Sequence, residues 1–238
     1  MEKSFLIHSI YRASEGEGIH IGSPQVFVRF QGCAVGCLNC DSKETWDFSV
    51  EKTMDIQEVL SAVEKEATYG GKRIKRISIT GGDPLHPKHE KQVLALAQAL
   101  KSKGHYINIE AAGTRVVDSI FDIVDFISFD YKTPSTGVRA NTKLFKRLIE
   151  QYPRKHQIKA VISDRKDFEA YYDLYFQSQD LAGFEDSQWV ITPCYEPEEE
   201  FPMERFLAAI KWNEDFGGPF RVIGQQHKWL HGPSKKNV

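Results

Sequence analysis

Three cysteines stand within eight residues of one another, and their type and spacing predict a metal centre. Cys33, Cys37 and Cys40 form a C-x3-C-x2-C pattern directly after the strand-like residues 26–30. Thiolates are the ligands of iron–sulfur clusters, and a complete cluster normally takes four of them. The next cysteine along the chain is Cys194. A tight loop with three thiolates therefore predicts a [4Fe–4S] cluster with one iron open to a small molecule.

Two other interpretations of this loop explain the spacing less well. A structural zinc site takes four ligands, usually in two separated pairs, and neither His8 nor His20 stands at pair spacing from the loop. A disulfide framework needs an even number of well-separated cysteines in a secreted chain. Cys194 stands alone after an apolar segment, which is typical of a packed thiol.

Length and composition favour a single domain spanning residues 1–238, with a cluster loop at 31–42 and a flexible tail at about 231–238. The chain has 238 residues, 41% of them hydrophobic, which is enough for one large core. A formal net charge of −2 predicts no nucleic-acid partner. No apolar stretch approaches the ~20 residues of a membrane span, and no signal peptide is recognisable. We therefore expect a cytoplasmic protein that does not bind membranes.

Strand-like and helix-like segments alternate along the chain, which predicts a parallel α/β sheet. Apolar stripes with helical spacing occupy 56–63 and 93–100, and the second of these helices should end at Gly104. Further helices are expected at about 141–151, 167–177 and 203–213. The expected strands are 26–30, 74–79, 106–109, 126–129, 158–162 and 189–191, with 220–223 as a seventh.

Polar motifs follow these strands, and functional residues gather at the C-terminal ends of strands in curled parallel sheets. The cysteine loop follows the first core strand, and Gly81 and Gly82 follow the second. Two glycines let the backbone approach a ligand where a Cβ atom would collide with it. The motifs after the later strands are Glu110, Asp130 with Lys132, and Thr192.

The cysteine loop and the segment Thr80-Gly81-Gly82-Asp83-Pro84 together resemble the radical S-adenosylmethionine (SAM) superfamily. Asp83 stands where the superfamily's GGEP-type motif usually has Glu, so the resemblance concerns the glycine backbone rather than this side chain. In that superfamily the open iron chelates the amino and carboxylate groups of SAM. The reduced cluster then cleaves SAM to a 5′-deoxyadenosyl radical.

Further segments resemble one family within it, the 7-carboxy-7-deazaguanine synthases. The resemblance is strong over the first 115 residues and looser afterwards, and many members have Gln where this chain has Glu15. The matching early segments are Ser14-Glu15-Gly16-Glu17-Gly18, Phe27-Val28-Arg29-Phe30-Gln31-Gly32-Cys33 and Cys40-Asp41-Ser42. The later ones are residues 109–114, 132–134, 158–161 and 224–228.

The resemblance implies a role for each matching residue. The cluster ligands would be Cys33, Cys37 and Cys40, and the Mg²⁺ ligand would be Ser42. The substrate contacts would be Ser14, Glu15, Gly16, Arg29, Thr80, His227 and the chain end Val238. The SAM pocket would be formed by Asn39, Asp41, Gly81, Gly82, Glu110, Asp130, Lys132 and Thr192. No side chain is assigned as a catalytic group, because the radical is carried by the cofactor.

The implied reaction converts 6-carboxy-5,6,7,8-tetrahydropterin to 7-carboxy-7-deazaguanine, a queuosine precursor, with loss of ammonia. SAM would be regenerated, Mg²⁺ would orient the substrate carboxylate, and a flavodoxin- or ferredoxin-type protein would supply electrons. The implied fold is a partial, modified (β/α)6-type barrel in a homodimer.

Two other functions remain open from the residues alone. A glycyl-radical-enzyme activase shares the C-x3-C-x2-C spacing, although the Glu-Gly-Glu-Gly and Cys-Asp-Ser segments argue against it. A non-catalytic iron–sulfur redox protein does not need an open iron next to a glycine pair, so these two features argue against that function.

Overall fold

A nine-stranded, largely parallel sheet forms the frame of the molecule, in a computed structural model that describes residues 4–49, 53–197 and 199–238. The strand order is β11-β10-β9-β8-β7-β6-β2-β1-β3, and β4 and β5 form a separate hairpin. Strands β2 and β6–β11 pair in parallel, whereas β1 is antiparallel to both β2 and β3. The strands are β1 Phe5–Ser14, β2 Pro24–Phe30, β3 Thr53–Met54, β4 Thr68–Tyr69, β5 Lys72–Arg73, β6 Arg76–Gly81, β7 Tyr106–Ala111, β8 Phe126–Tyr131, β9 His156–Ile162, β10 Gln188–Pro193 and β11 Arg221–Val222.

Within the described residues there are seven helices. Six of them lie between strands, α7 follows β11, and the longer ones bury apolar stripes in the core. In α1, for example, Val59 and Val63 are fully buried. Gly104 adopts a positive φ of 78° directly after α2, as expected of a residue that ends a helix. The helices are α1 Ile56–Ala67, α2 Glu90–Ser102, α3 Asp118–Phe121, α4 Thr142–Gln151, α5 Arg165–Phe176, α6 Met203–Asp215 and α7 Gln226–His231.

All seven expected strands and all five expected helices are present, so the α/β prediction is confirmed. The sequence analysis missed β1, because this strand is half-exposed along most of its length and lacks the apolar run of a buried parallel strand. It also missed α3 and α7, which are too short to show a helical period.

The central strands have one apolar face and one polar face, which their apolar composition did not predict. On β6, Ile77 and Ile79 belong to the hydrophobic core, whereas Ser78 lies on the opposite face because side chains alternate along a strand. Asn108 of β7 donates to Ser78 Oγ at 3.0 Å, and Gln157 of β9 donates to Ser128 Oγ of β8 at 2.8 Å. A hydrogen-bonded polar layer therefore lies beneath the C-terminal ends of these strands.

The sheet curls into a partial barrel. The backbone N–H of Ile19, shortly after β1, donates to Gln157 Oε1 at 2.9 Å, although β1 and β9 lie five positions apart in the sheet. Gly18 makes this approach possible, since its φ is +66° and a Cβ atom there would collide with the Gln157 amide. None of the helices within the described ranges is long and apolar enough to span a membrane.

Candidate active site

A cavity of about 580 Å³ opens at the C-terminal ends of the strands. Its wall combines the cysteine loop, the segment after β1, the ends of β6–β9, and the last residues of the chain. The predicted site residues that line it are Ser14, Glu15, Gly16, Arg29, Cys33, Cys37, Asn39, Cys40, Asp41, Ser42, Thr80, Gly81, Gly82, Glu110, Asp130, Lys132, His227 and Val238. One cavity thus brings together residues from opposite ends of the sequence.

The cysteine loop is held so that its thiols face this cavity. The N–H of Cys33 donates to the Trp46 carbonyl at 3.1 Å, and the N–H of Leu38 donates to the Thr136 carbonyl at 2.9 Å. Backbone N–H groups also donate to sulfur, from Ser42 to Cys40 Sγ at 3.4 Å and from Val35 to Cys33 Sγ at 3.4 Å. Hydrogen bonds to sulfur are one way in which proteins set the properties of iron–sulfur clusters.

The three thiols do not form a single-ion site within the described residues. Among the described residues, no three His, Cys, Asp or Glu side chains lie close enough together to bind one metal ion. A four-iron cluster places each thiolate on a different iron and so holds them farther apart. The structural-zinc interpretation therefore finds no support in this part of the chain.

Gly81, the last residue of β6, and Gly82 pack against the end of β2 and the start of the cysteine loop. A Cβ atom on Gly81, whose φ is +135°, would collide with the backbone of Phe30, and one on Gly82 would collide with the Gly32 carbonyl. Gly82 N–H donates to the Phe30 carbonyl at 3.0 Å. Both glycines line the cavity, so they seat the cysteine loop and leave room for a ligand. Asp83 is buried, accepts from the Leu85 N–H at 3.1 Å, and does not line the cavity.

Arg29, Thr80 and Ser42 form a polar group beside the cysteine loop. Arg29 on β2 is the register partner of Thr80 on β6. The Arg29 guanidinium donates to Tyr11 Oη at 3.0 Å and to Ser42 Oγ at 3.4 Å. Ser42 Oγ in turn donates to Asp41 Oδ1 at 2.9 Å. A fixed guanidinium next to hard oxygen ligands suits an anionic ligand and a divalent cation together.

The loop after β1 carries two buried carboxylates with opposite behaviour. Glu15 accepts from Gln25 Nε2 at 2.7 Å and from its neighbour Gly16 N–H at 3.0 Å. Burial, with the nearby Glu110 carboxylate, raises the pKa of Glu15 to about 8. Burial alone would also raise the pKa of Glu17, but Lys159, His227 and the hydrogen bond from Gln225 together outweigh burial and hold that pKa well below its ordinary value.

Lys159 and Asp130 extend this charged group across the cavity wall. Lys159 Nζ forms an ion pair with Glu17 and lies 3.6 Å from Asp130 Oδ1. Lys132 Nζ pairs with Asp130 Oδ2 at 3.1 Å. Glu110 accepts from Asn108 Nδ2 at 2.6 Å, and burial raises its pKa. The ends of β7, β8 and β9 thus present both signs of charge to the cavity.

Two polar atoms on the cavity wall are buried without a hydrogen-bond partner in the structure, Asp130 Oδ1 and Gln225 Oε1. Such groups are costly unless a ligand or water satisfies them. Together with the thiols, they fit a polar cofactor such as SAM.

Two residues near the end of β10 differ in their relation to the cavity. Thr192 is fully buried and does not line it, and its hydroxyl also lacks a hydrogen-bond partner. Cys194 does line it, with its Sγ 3.6 Å from Glu196 Oε1. Burial raises the pKa of this thiol.

Helix α7 and the tail close one side of the cavity. The ring of His227 packs directly on Gly16, and Lys228 Nζ donates to the Tyr195 carbonyl at 2.7 Å. In the tail, Lys236 Nζ donates to the Asp41 carbonyl, and Val238 reaches the cavity. The tail, whose composition favours flexibility, therefore lies beside the cysteine loop in this structure.

Sequence reasoning gave no role to Glu17, Lys159, Tyr11 or Gln225, all of which line the cavity. One signal was available for Lys159, because a lysine inside the apolar run of residues 158–162 must have a buried partner. No comparable signal marks Tyr11, since it lies on a strand that the sequence analysis missed.

Comparisons with known proteins find a cluster-domain model and relatives from one enzyme family. A family model described as a 4Fe-4S single cluster domain matches residues 14–119. A 7-carboxy-7-deazaguanine synthase from Koribacter versatilis is 32% identical over 164 residues, covering 68% of this chain and 67% of the relative. The enzyme of the same name from Leptospira interrogans is 26% identical and covers 96% of both chains.

A solved structure shares the fold. The crystal structure of QueE from Escherichia coli aligns with a TM-score of 0.69 at 21% sequence identity, covering 94% of each chain. The partial barrel expected from the sequence is therefore confirmed at the level of the fold.

Proposed function

Because the chain belongs to the 7-carboxy-7-deazaguanine synthase family, we propose that it converts 6-carboxy-5,6,7,8-tetrahydropterin to 7-carboxy-7-deazaguanine as a radical SAM enzyme. The reaction contracts the pterin ring and releases one ammonia, without net oxidation or reduction. The product is a precursor of queuosine-type 7-deazapurines.

One observation carries this proposal: the three thiols share a single cavity with Arg29 and with the Ser14–Glu15–Gly16 loop. A cluster-binding loop alone would fit many radical SAM enzymes. An adjacent guanidinium and a glycine-containing polar loop fit a small substrate that carries a carboxylate and a polar ring. When bound, the cluster and SAM supply the radical hydrogen abstraction that no side chain of this protein can provide.

The substrate side of the site binds and orients the pterin. Arg29 is held in place by Tyr11, and its guanidinium binds the pterin carboxylate. Thr80 lies beside it as its register partner. The Ser14–Glu15–Gly16 loop contacts the ring, and His227 and the Val238 carboxylate enclose it from the C-terminal end.

The cofactor side combines the cysteines with the ends of three strands. Cys33, Cys37 and Cys40 hold the cluster. The SAM contacts come from both sides of it, namely Asn39, Asp41, Gly81, Gly82, Glu110, Asp130 and Lys132. Thr192 supports this pocket from behind the cavity wall, where its hydroxyl is buried without a hydrogen-bond partner.

A Mg²⁺ ion bound by Ser42 completes the proposed substrate site. Mg²⁺ prefers hard oxygen ligands, retains several waters, and is commonly held by one or two protein groups together with the substrate. The Ser42 hydroxyl lies between Arg29 and Asp41 and would supply one hard oxygen ligand to an ion held there.

The proposal includes a cytoplasmic setting and a flavodoxin- or ferredoxin-type electron donor. It also includes a homodimer, for which one surface is suited. We define the α6–α7 face as Phe201, Met203, Leu207, Ile210, Trp229 and Leu230, large apolar side chains that are between 39% and 71% exposed. Ring contacts of Phe201 with Phe206 and Trp229 join its two halves.

The area and charges of this face suit a second copy of the chain. A large side chain has roughly 200 Å² of surface, so the exposed fractions amount to several hundred Å², against the ~800 Å² per partner of a stable interface. Glu204 and Lys211 flank the apolar stripe of α6 at opposite ends. Antiparallel approach of two copies about a twofold axis would bring each carboxylate towards the partner's ammonium, which pairs with Asp215 within its own helix.

The decisive experiment is an anaerobic turnover assay of the reconstituted, reduced enzyme with SAM, Mg²⁺ and 6-carboxy-5,6,7,8-tetrahydropterin. We expect 7-carboxy-7-deazaguanine and ammonia in equal amounts, detected by mass spectrometry. Cleavage of SAM to 5′-deoxyadenosine without that product would point to the activase function instead. A reduced cluster whose electron paramagnetic resonance signal does not change when SAM is added would point to a non-catalytic iron–sulfur redox protein.

A further inference from the structure

Four charged side chains and one amide form a continuous row along the cavity wall. Gln225 Nε2 donates to Glu17 Oε1 at 2.7 Å, and Glu17 Oε2 accepts from Lys159. Lys159 Nζ lies 3.6 Å from Asp130 Oδ1, whose other oxygen accepts from Lys132 Nζ at 3.1 Å. Each carboxylate faces one neighbour of the row with each of its two oxygens, and the contact of Lys159 with Asp130 Oδ1 is an ion pair without a hydrogen bond. We call these five residues the charge row.

The charge row connects segments that are distant in sequence and lie on different sides of the cavity. Glu17 belongs to the same loop as the proposed substrate contacts Ser14–Glu15–Gly16. Asp130 and Lys132 belong to the proposed SAM pocket. Lys159 lies between them, because it is the register partner of Asp130 on β9 and reaches across to Glu17.

Lys159 is the link on which the row depends. Its side chain is only 8% exposed, and the surrounding carboxylates keep the pKa of its ammonium well above its ordinary value. Removing one member of a buried ion pair leaves an uncompensated charge. Without Lys159, the carboxylates of Glu17 and Asp130 would face each other and Glu110 across the cavity wall with no cation between them.

We propose that Lys159 is a positioning residue that couples the two ligands, so that pterin binding at the Ser14–Gly18 loop strengthens SAM binding at the ends of β7 and β8. The identity of the two ligands rests on the proposed function. The coupling itself follows from the charge row. A ligand that orders one end of the row fixes Lys159, and the second ligand then loses less conformational entropy on binding.

Coupling between two sites is reciprocal and can be measured as a ratio of dissociation constants. The reconstituted enzyme with its cluster left oxidised does not turn over, so SAM affinity can be titrated with and without 6-carboxy-5,6,7,8-tetrahydropterin. In the wild-type protein, we expect the pterin to tighten SAM binding by about fivefold or more. In Lys159→Met, we expect this ratio to fall to nearly one while the cluster absorbance is retained.

Three further variants separate coupling from a general loss of structure. Glu17→Gln preserves side-chain shape and should also lose the coupling, which keeps the test valid if Lys159→Met folds poorly. Lys159→Arg retains the cation and should recover part of the ratio. Lys235→Met removes another lysine that lines the same cavity and is outside the row, and it should keep the wild-type ratio.

The proposal is overturned if Lys159→Met keeps the wild-type ratio, if the wild-type protein binds the pterin with no change in SAM affinity, or if Lys235→Met loses the coupling equally. Hydrogen exchange provides a test that needs no pterin. SAM alone should slow amide exchange at residues 14–19 of the wild-type protein but not of Lys159→Met. Equal slowing in both would refute the link. Absence of pterin binding with intact SAM-dependent slowing would refute the proposed substrate and leave the role of Lys159 standing.

Discussion

Glu15 and Glu17 are two residues apart in one loop, yet their surroundings favour opposite protonation states. Glu15 is buried near the Glu110 carboxylate, so its neutral form is favoured. Glu17 is paired with the ammonium of Lys159, so its charged form is favoured. At the scale of single residues, the chemistry of this site is therefore set by which partner each carboxylate meets.

Replacing Glu15 with Gln should change the pH dependence of stability. The folded protein holds a proton on Glu15 up to about pH 8 that the unfolded chain releases near the ordinary pKa of 4.5. The free energy of unfolding therefore falls as pH rises from 4.5 to 8. At about 1.4 kcal/mol per pKa unit, Glu15→Gln should gain ~2 kcal/mol or more over wild type between pH 5 and pH 8.

Urea unfolding followed by tryptophan fluorescence at several pH values measures this difference. Glu214→Gln, an exposed position on α6, controls for loss of one negative charge. Parallel curves for Glu15→Gln and wild type across this range would show that Glu15 ionises normally.

Replacing Ser42 with Ala should weaken the response to Mg²⁺ without disturbing the cluster. The variant loses one hard oxygen from the proposed ion site, and the Mg²⁺ concentration for half-maximal turnover should rise roughly tenfold. Ser42→Thr keeps a hydroxyl and should behave like wild type. An unchanged Mg²⁺ response in Ser42→Ala would remove this residue from the ion site.

At the scale of elements, the loop after β1 and helix α7 form one unit. The Gln226 N–H donates to the Gly16 carbonyl at 2.9 Å, and the His227 ring occupies the space where a Cβ atom of residue 16 would lie. Gly16 does not have a positive φ, so its role is to allow this contact rather than to adopt a special backbone conformation.

Replacing Gly16 with Ala should therefore displace α7 from the site. The added methyl group meets the His227 ring, and overpacking of this kind costs ~1–3 kcal/mol. We expect KM for the pterin to rise about tenfold, which corresponds to ~1.4 kcal/mol. The double variant Gly16→Ala/His227→Ala, which restores the space, should regain part of the cluster-loaded protein's stability to urea. Wild-type KM in Gly16→Ala would mean that the two elements are not rigidly packed.

At the scale of the whole molecule, the outer side of α7 belongs to the α6–α7 face, while its inner side carries His227 and Lys228. Contact with a second copy would thus press on the same short helix that closes one side of the cavity. This geometry links the proposed assembly to the proposed site.

A charge introduced into the α6–α7 face should separate the dimer. Leu207→Glu places a carboxylate in the centre of the apolar stripe, and burying it in an interface without a partner is costly. Sedimentation velocity should show dimers for wild type and monomers of 27.2 kDa for the variant. Phe176→Glu, at an exposed apolar position of α5, is the matched control and should remain dimeric. Dimers of Leu207→Glu would place the interface elsewhere.

Much of the fold was predictable because its signals are local. Apolar runs marked the parallel strands, and helical spacing marked the longer helices. Strand β1 was not predicted, because it is antiparallel, lies next to the sheet edge, and lacks the apolar run of a buried parallel strand. The polar face of β6–β9 was not predicted, because a single polar residue within an apolar strand gives no signal of its own. The face becomes recognisable only when the sheet places these residues side by side.

The sequence by itself determined the cysteine loop, the alternating α/β frame and the family, since all three depend on residue types at short spacing. Only the tertiary structure decided that Glu17, Lys159 and Asp130 meet, because they come from the loop after β1 and from two strands more than a hundred residues further along the chain. The curl of the sheet brings these segments together. Burial then makes their charges interact strongly, which no local pattern can reveal.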